Sequence, residues 1–153
     1  TPPFGKLMEC KRRKGDVGVA APAQPGQKLE LTKFAQLYAD AWCSQDPERV
    51  AAFYAKNGSI TVNGAPPVPI AEVARGFMRD FPDMVVTFDK VENTPGGSKF
   101  EWTLTGTNTG PGGTGNRVRI SGYELWQIDD DDLIATSEGN FDAAEYDRQL
   151  RGG

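Results

Sequence analysis

From Leu29 onward, two hydrophobic rhythms run along the chain. Leu31, Phe34, Leu37, Tyr38, Ala41 and Trp42 recur at three- and four-residue steps, one face of an amphipathic helix. Asp46-Pro47-Glu48 opens a second helix, with Asp as N-cap, Pro in the first turn and Glu facing the dipole. Val50, Phe53 and Tyr54 form its apolar side, and Asn57-Gly58 ends it. A short β-rich stretch at 59–63 precedes a third predicted helix, Ile70–Asp80, which presents Ile70, Val73, Ala74, Phe77 and Met78 and stops at Pro82. Beyond it the period drops to two. Strands are predicted at 84–93, 99–109, 117–129 and 133–141, separated by Gly-, Pro- and Asp-rich turns, with a short closing helix at 142–150. Helices first and hairpin-linked strands after predict an α+β fold: a curved antiparallel sheet wrapped around the N-terminal helices, forming a cone with an internal pocket. Residues 1–27 show no sustained period and read as a flexible extension, which leaves 28–153 as one domain.

Strand alternation supplies the sharpest chemical signal. Between 117 and 129 the even positions are Val118, Ile120, Gly122, Glu124, Trp126 and Ile128, while the odd ones are mostly polar. Glu124 is thus the one carboxyl in an apolar inward row, where burial raises a carboxyl pKa and lets the group donate near neutral pH. A bulge at Gly122 is the alternative, and it would turn Glu124 to solvent. The preceding strand puts Phe100, Trp102, Leu104 and Gly106 on one face, so Trp102 and Trp126 can share a wall or simply fill the core. In the last strand Glu138 and Asn140 alternate with Ser137 and Gly139, and neither face is clearly apolar. Tyr38 and Trp42, one turn apart, face inward from the first helix; Tyr38 is either a core residue or an oxyanion donor.

Composition narrows the chemistry. The chain of 153 residues has no histidine, which removes histidine-based acid/base and nucleophile systems and the commonest zinc ligand. Proton transfer then falls to Asp, Glu, Tyr, Lys or a thiol. The net charge of −4 is uneven. Residues 1–27 hold five basic and two acidic residues; the remainder holds twelve and nineteen, so +3 stands against −7. An acidic body argues against nucleic acid as a partner, and the Lys11-Arg12-Arg13-Lys14 cluster reads as a solubilising end. No apolar run reaches the length of a membrane span, and no signal-like apolar stretch opens the chain, so a cytoplasmic protein with Cys10 and Cys43 reduced is expected. Gly110, Gly112 and Gly115 fit G-x-G-x-x-G but precede a strand, so no helix N-terminus awaits a phosphate. The aspartates at 129–132 lack calcium-loop spacing. Neither a metal nor a cofactor is expected.

Phe34-Ala-Gln-Leu-Tyr-Ala-Asp-Ala-Trp42 followed by Asp46-Pro-Glu-Arg-Val-Ala-Ala-Phe-Tyr54 resembles the opening helix pair of SnoaL-like proteins. Trp102-Thr-Leu-Thr-Gly-Thr-Asn-Thr-Gly110 and Phe141-Asp-Ala-Ala-Glu-Tyr-Asp-Arg-Gln-Leu150 resemble a strand and the closing helix of the same family. That resemblance spans roughly residues 30–150 and implies membership of the nuclear transport factor two-like superfamily, which includes polyketide cyclases, ketosteroid isomerases, epoxide hydrolases and non-catalytic binders. It implies an apolar small molecule as ligand and a homodimer through the sheet. It places Tyr38 at the isomerases' oxyanion-hole tyrosine and Glu124 near their protonated acid. Asn63 falls where their general-base aspartate lies, and Asn63 cannot act as a base. The last strand, where the cyclases carry an Asp, holds Glu138 and Asn140. Glu124 and Tyr38 are therefore the catalytic candidates, and Trp42, Trp102, Trp126, Asn63, Glu138 and Asn140 the candidate substrate contacts. Two functions stand open: a cofactor-independent cyclase or isomerase, and a non-catalytic binding or dimerisation module. A third, a protein adaptor, would need an exposed apolar patch.

Overall fold

The computed structural model describes residues 30–152. Helix α1 (Leu31–Trp42) starts where the Glu30 carboxylate accepts from the Thr32 and Lys33 amides. Helix α2 (Pro47–Ala51) is capped by Asp46, which accepts from the Glu48 amide. Strand β1 (Tyr54–Val62), the short β2 (Val68–Pro69) and helix α3 (Ile70–Asp80) follow, then strands β3 (Val85–Thr94), β4 (Gly97–Thr107), β5 (Arg117–Ile128) and β6 (Ile134–Phe141). Helix α4 (Ala143–Leu150), with Asp142 as its N-cap, ends the described chain. The expected extension 1–27 lies outside the described residues, as does Cys10.

One six-stranded sheet runs in the order β2-β1-β6-β5-β4-β3. Its long strands curl over α1 and α3 in the expected α+β cone. All neighbours are antiparallel except β1 and β6, which pair in parallel. That pair explains the main departure from the expected elements. The second helix was expected to run to Asn57-Gly58, yet it ends six residues earlier, at Ala51, and 54–57 belong to β1. The Phe53 carbonyl accepts from the Ile134 amide, so the chain leaves the helix to join β6. Val50, Phe53 and Tyr54 are buried as their apolar pattern requires, Val50 from the helix as expected, Phe53 and Tyr54 from turn and strand geometry. A second departure concerns Cys43. Expected as a reduced thiol, it is disulfide-bonded, and its sulfur accepts from the Val86 amide.

Glycines set two close approaches in the sheet. Gly122 lies opposite Trp102 on β4 and Phe141 on β6, where a Cβ would come within 2.3 Å of the Asn140 carbonyl oxygen and 2.7 Å of the Trp102 ring. The β4–β5 register passes Gly122 without a shift, so no bulge forms there. Gly139 lies opposite Glu124, and a Cβ on it would meet only ordinary contacts, the nearest at 3.4 Å.

Aromatic side chains fill the cone. Phe100 stacks on Trp126 with centroids 4.9 Å apart, and Tyr38 meets both edge-on at 5.4 and 5.1 Å. Phe34 and Phe53 pack edge-on at 5.3 Å beside them. Pairs of this kind add about 0.5–1.5 kcal/mol each beyond the area they bury.

Candidate functional site

The unbroken β4–β5 register carries the even row of β5 inward: Val118, Ile120, Glu124 and Trp126 are all buried, and the odd row faces out. Glu124 therefore sits inside the cone, 5% exposed, between Phe100 on β4 and Gly139 on β6. Three donors converge on its Oε1. The Tyr38 hydroxyl from α1, the Trp126 indole Nε1–H two residues along β5, and the Ser137 hydroxyl from β6 each donate at 2.9 Å. A fourth contact, from the Tyr54 hydroxyl, is longer at 3.4 Å. Each hydroxyl has one proton. Tyr38 spends its own on Glu124 and accepts from Tyr54 at 2.8 Å, so the chain runs Tyr54 to Tyr38 to Glu124.

Burial raises the Glu124 pKa above the usual 4.5; its polar contacts with Trp126, Tyr38, Ser137 and Tyr54 pull the other way without cancelling it. All four groups are neutral, and no ion pair reaches Glu124 among the described residues. Burial first, then the adjacent Glu124 charge, pushes both Tyr38 and Tyr54 well above the usual tyrosine range, so both remain protonated donors. A proton on this carboxyl would sit on Oε2, because Oε1 already receives three short hydrogen bonds and Oε2 takes none of them.

Glu124 also lines a cavity. Its other walls are Trp42, Ile60, Val62, Val73, Phe77, Val86, Phe100, Trp102, Leu104, Gly139 and Phe141. Among the described residues, every wall except Glu124 is apolar or aromatic, and Glu124 is the only titratable side chain. Such a cavity can hold an apolar molecule, with Glu124 as the one carboxyl in its wall among the described residues.

The residues singled out from sequence divide into three groups. Glu124, Trp42 and Trp102 line the cavity. Tyr38 and Trp126 are fully buried, bond to Glu124 Oε1, and are not among the residues that line the cavity. Asn63, Glu138 and Asn140 do not line it. Asn63 occupies a turn at φ +51°, where its Oδ1 accepts from the Phe141 amide and its own amide donates to the Gly139 carbonyl. Glu138 is exposed opposite Leu125, and Asn140 lies opposite Tyr123, both on the outward row because Ser137 and Gly139 take the inward one. Sequence reasoning missed Tyr54 and Ser137 as partners of Glu124, and Phe77 and Phe100 as walls. The apolar pattern around Tyr54 reads as helix, and the facing of Ser137 depends on the β5–β6 register, which no local pattern carries. Among the described residues, no group of three or more Cys, Asp or Glu is placed to hold a metal, and no helix is long and apolar enough to cross a membrane.

Comparison with known proteins agrees with this architecture. A Catenulispora acidiphila protein of ketosteroid isomerase-like fold, solved with trimethylamine, superposes with a TM-score of 0.65 at 14% identity, covering 84% of this chain and 94% of its own. A candidate SnoaL-like polyketide cyclase from Jannaschia sp. gives 0.64 at 16% identity, with 80% and 92% covered. An LEH-like epoxide hydrolase from M. tuberculosis gives 0.59 at 16% identity, with 77% and 86% covered. At these identities the likeness is one of fold. Among curated proteins, no sequence matches the chain. The SnoaL-like domain profile matches residues 35–136, well over half of the sequence, and on that ground the chain belongs to the SnoaL-like family.

Proposed function

We propose that the cone binds an apolar, carbonyl-bearing small molecule and that Glu124 acts on it as a neutral acid, in a cofactor-independent reaction of the cyclase or isomerase type. One observation carries this reading: a buried carboxyl whose Oε1 is saturated by Tyr38, Trp126 and Ser137, on a residue that lines an apolar cavity. The Oε2 proton would hydrogen-bond the ligand's carbonyl oxygen and draw electron density toward it, making an adjacent C–H more acidic or the carbonyl carbon more open to attack. Tyr38 is then a positioning residue that orients the acid and does not itself meet the ligand. The reading includes a homodimer through the outer face of the sheet, where Tyr123 is the one large apolar residue exposed among those described; light scattering of the purified protein measures it.

A non-catalytic ligand-binding module is the second reading. What favours it is the lack, among the described residues, of another titratable side chain in the cavity wall to remove a proton. Glu124→Gln separates the two. The Gln carbonyl can accept from the same three donors while its NH₂ donates toward the cavity, so binding survives but no proton can be given up. A thermal-shift screen against cyclic enones, steroids and aromatic polyketides first identifies a ligand; at a hundred times its Kd a ligand adds about 2.7 kcal/mol of stability. Turnover of that ligand by the wild type, lost in Glu124→Gln with binding kept, is the expected result. Binding without turnover in the wild type would leave the module reading, and turnover unchanged in the variant would remove Glu124 from the chemistry.

A further inference from the structure

One row of residues crosses the sheet along the cavity wall. Phe100 on β4 pairs with Glu124 on β5, Glu124 with Gly139 on β6, and Gly139 with Val62 on β1. All four line the cavity. Three of them present a side chain and Gly139 presents none, so the row has a notch between Glu124 and Val62. A glycine inside a strand weakens it, and its usual reasons are a bulge, a bend, or the close approach of another backbone or a ligand. Every other strand glycine among the described residues answers to crowding. A Cβ would come within 2.6 Å of the Tyr54 side chain at Gly58, 2.6 Å of the Trp126 carbonyl oxygen at Gly97 and 3.1 Å of the Phe81 side chain at Gly106, and Gly122 is pressed against Asn140. No such reason holds at Gly139. Its φ lies outside the left-handed region. Pairing with β5 runs through it, and pairing with β1 runs up to it, without a shift. A Cβ there would find Ile60 Cδ1 at 3.4 Å, the Thr61 carbonyl oxygen at 3.6 Å and Glu124 Cγ at 3.8 Å, all ordinary contacts. Ile60 and Glu124 are themselves cavity walls, so the missing side chain would stand at the cavity surface between them. The reason left for this glycine is the approach of a ligand.

We propose that Gly139 is the specificity-determining position of the cavity: the notch it leaves seats the edge of the bound molecule against the β6 backbone, beside Glu124 and Val62. This deepens the reading above and rests on it for an apolar molecule entering the cavity, but not for the protonation of Glu124. Selection at the notch is by shape. A side chain at position 139 takes the space that the ligand's edge would fill, so a β-branched residue would push the ligand off the strand and away from the Glu124 side chain. Because a Cβ meets only ordinary contacts there, filling the notch separates loss of ligand from loss of fold.

The test uses 1-tetralone and tetralin, one bicyclic frame with and without a carbonyl oxygen. Dissociation constants are measured for the wild type, Gly139→Ala, Gly139→Val and Thr136→Val, with thermal unfolding of each variant as the check on folding. One carbon more or less in an apolar pocket is worth roughly tenfold or more in discrimination. Gly139→Val should therefore weaken both probes at least about tenfold, and Gly139→Ala should weaken them by less. Thr136→Val, exposed on the outward row of the same strand, should bind both as the wild type does. In the wild type, either bound probe should show nuclear Overhauser contacts to the Gly139 Hα protons; this readout needs no variant to fold. A bound probe without those contacts overturns the inference, as does equal affinity in the wild type and a folded Gly139→Val. If tetralone binds no tighter than tetralin while both are weakened by Gly139→Val, the acid reading fails and the Gly139 assignment stands. If neither probe binds the wild type, both fail.

Discussion

At the scale of the residue, Glu124 determines the behaviour of the site. Its carboxyl organises Tyr38, Trp126 and Ser137, drawn from three different elements, and loses its ordinary acidity to burial in doing so. The sign of the resulting pH dependence follows from linkage. Folding favours the neutral form, so the contribution of Glu124 is complete below the ordinary carboxyl value of 4.5 and is lost as pH rises through its raised value in the folded protein. Relative to Glu124→Gln, the wild type should lose about 1.4 kcal/mol for each pH unit between those two values and level off above them. Urea denaturation of both proteins across that window measures it, and parallel curves would contradict a raised pKa. Glu124→Leu should behave differently from Gln. It strands three buried donors and should cost about 3 kcal/mol or more at any pH below the tyrosine range.

At the scale of the element, β5 and its two neighbours build the site, and two glycines there are expected to respond in opposite ways to an added methyl group. Gly122→Ala drives a Cβ into the Asn140 carbonyl and the Trp102 ring, so β5 and β6 must part or the wall indole must move; a loss of about 2 kcal/mol or more is expected. Gly139→Ala meets only contacts of 3.4 Å and beyond and should leave stability within about 0.5 kcal/mol. Thermal unfolding of the pair compares them directly, and equal losses would contradict the close approach at Gly122. This strand was also where the sequence was most legible. A two-residue period over 117–128 sufficed to place Glu124 and Trp126 inward, because inward and outward rows differ sharply in polarity. The same reasoning stalled on β6, where Ser137, Glu138, Gly139 and Asn140 are too similar in hydropathy for either face to declare itself. It misread Phe53 and Tyr54 because parallel pairing with β6, more than seventy residues away, outweighs a local helical pattern.

At the scale of the whole molecule, the cone separates two environments within one carboxyl group. An aromatic core of Phe34, Tyr38, Phe53, Phe100 and Trp126 lies on the Oε1 side, and an apolar cavity open at its mouth lies beside the same residue. The fold class and the central acid were legible in the sequence because both are written in periodicity. The cavity wall was legible only in part: Trp42 and Trp102 stand in it, whereas Asn63 and Asn140 serve turn and sheet. Those positions depend on how distant strands are set against one another, and a single chain's local pattern holds no record of that. The chemistry proposed for the family fold in this protein rests on the protonation state of one group. The most direct measurement is a ¹³C NMR titration of the Glu124 carboxyl in side-chain-labelled protein, assigned with Glu124→Gln. A midpoint above 4.5 is expected, with the acid neutral where free carboxylates are already charged. A midpoint at or below 4.5 would mean a buried carboxylate held by its three donors, with no acid proton to offer a ligand.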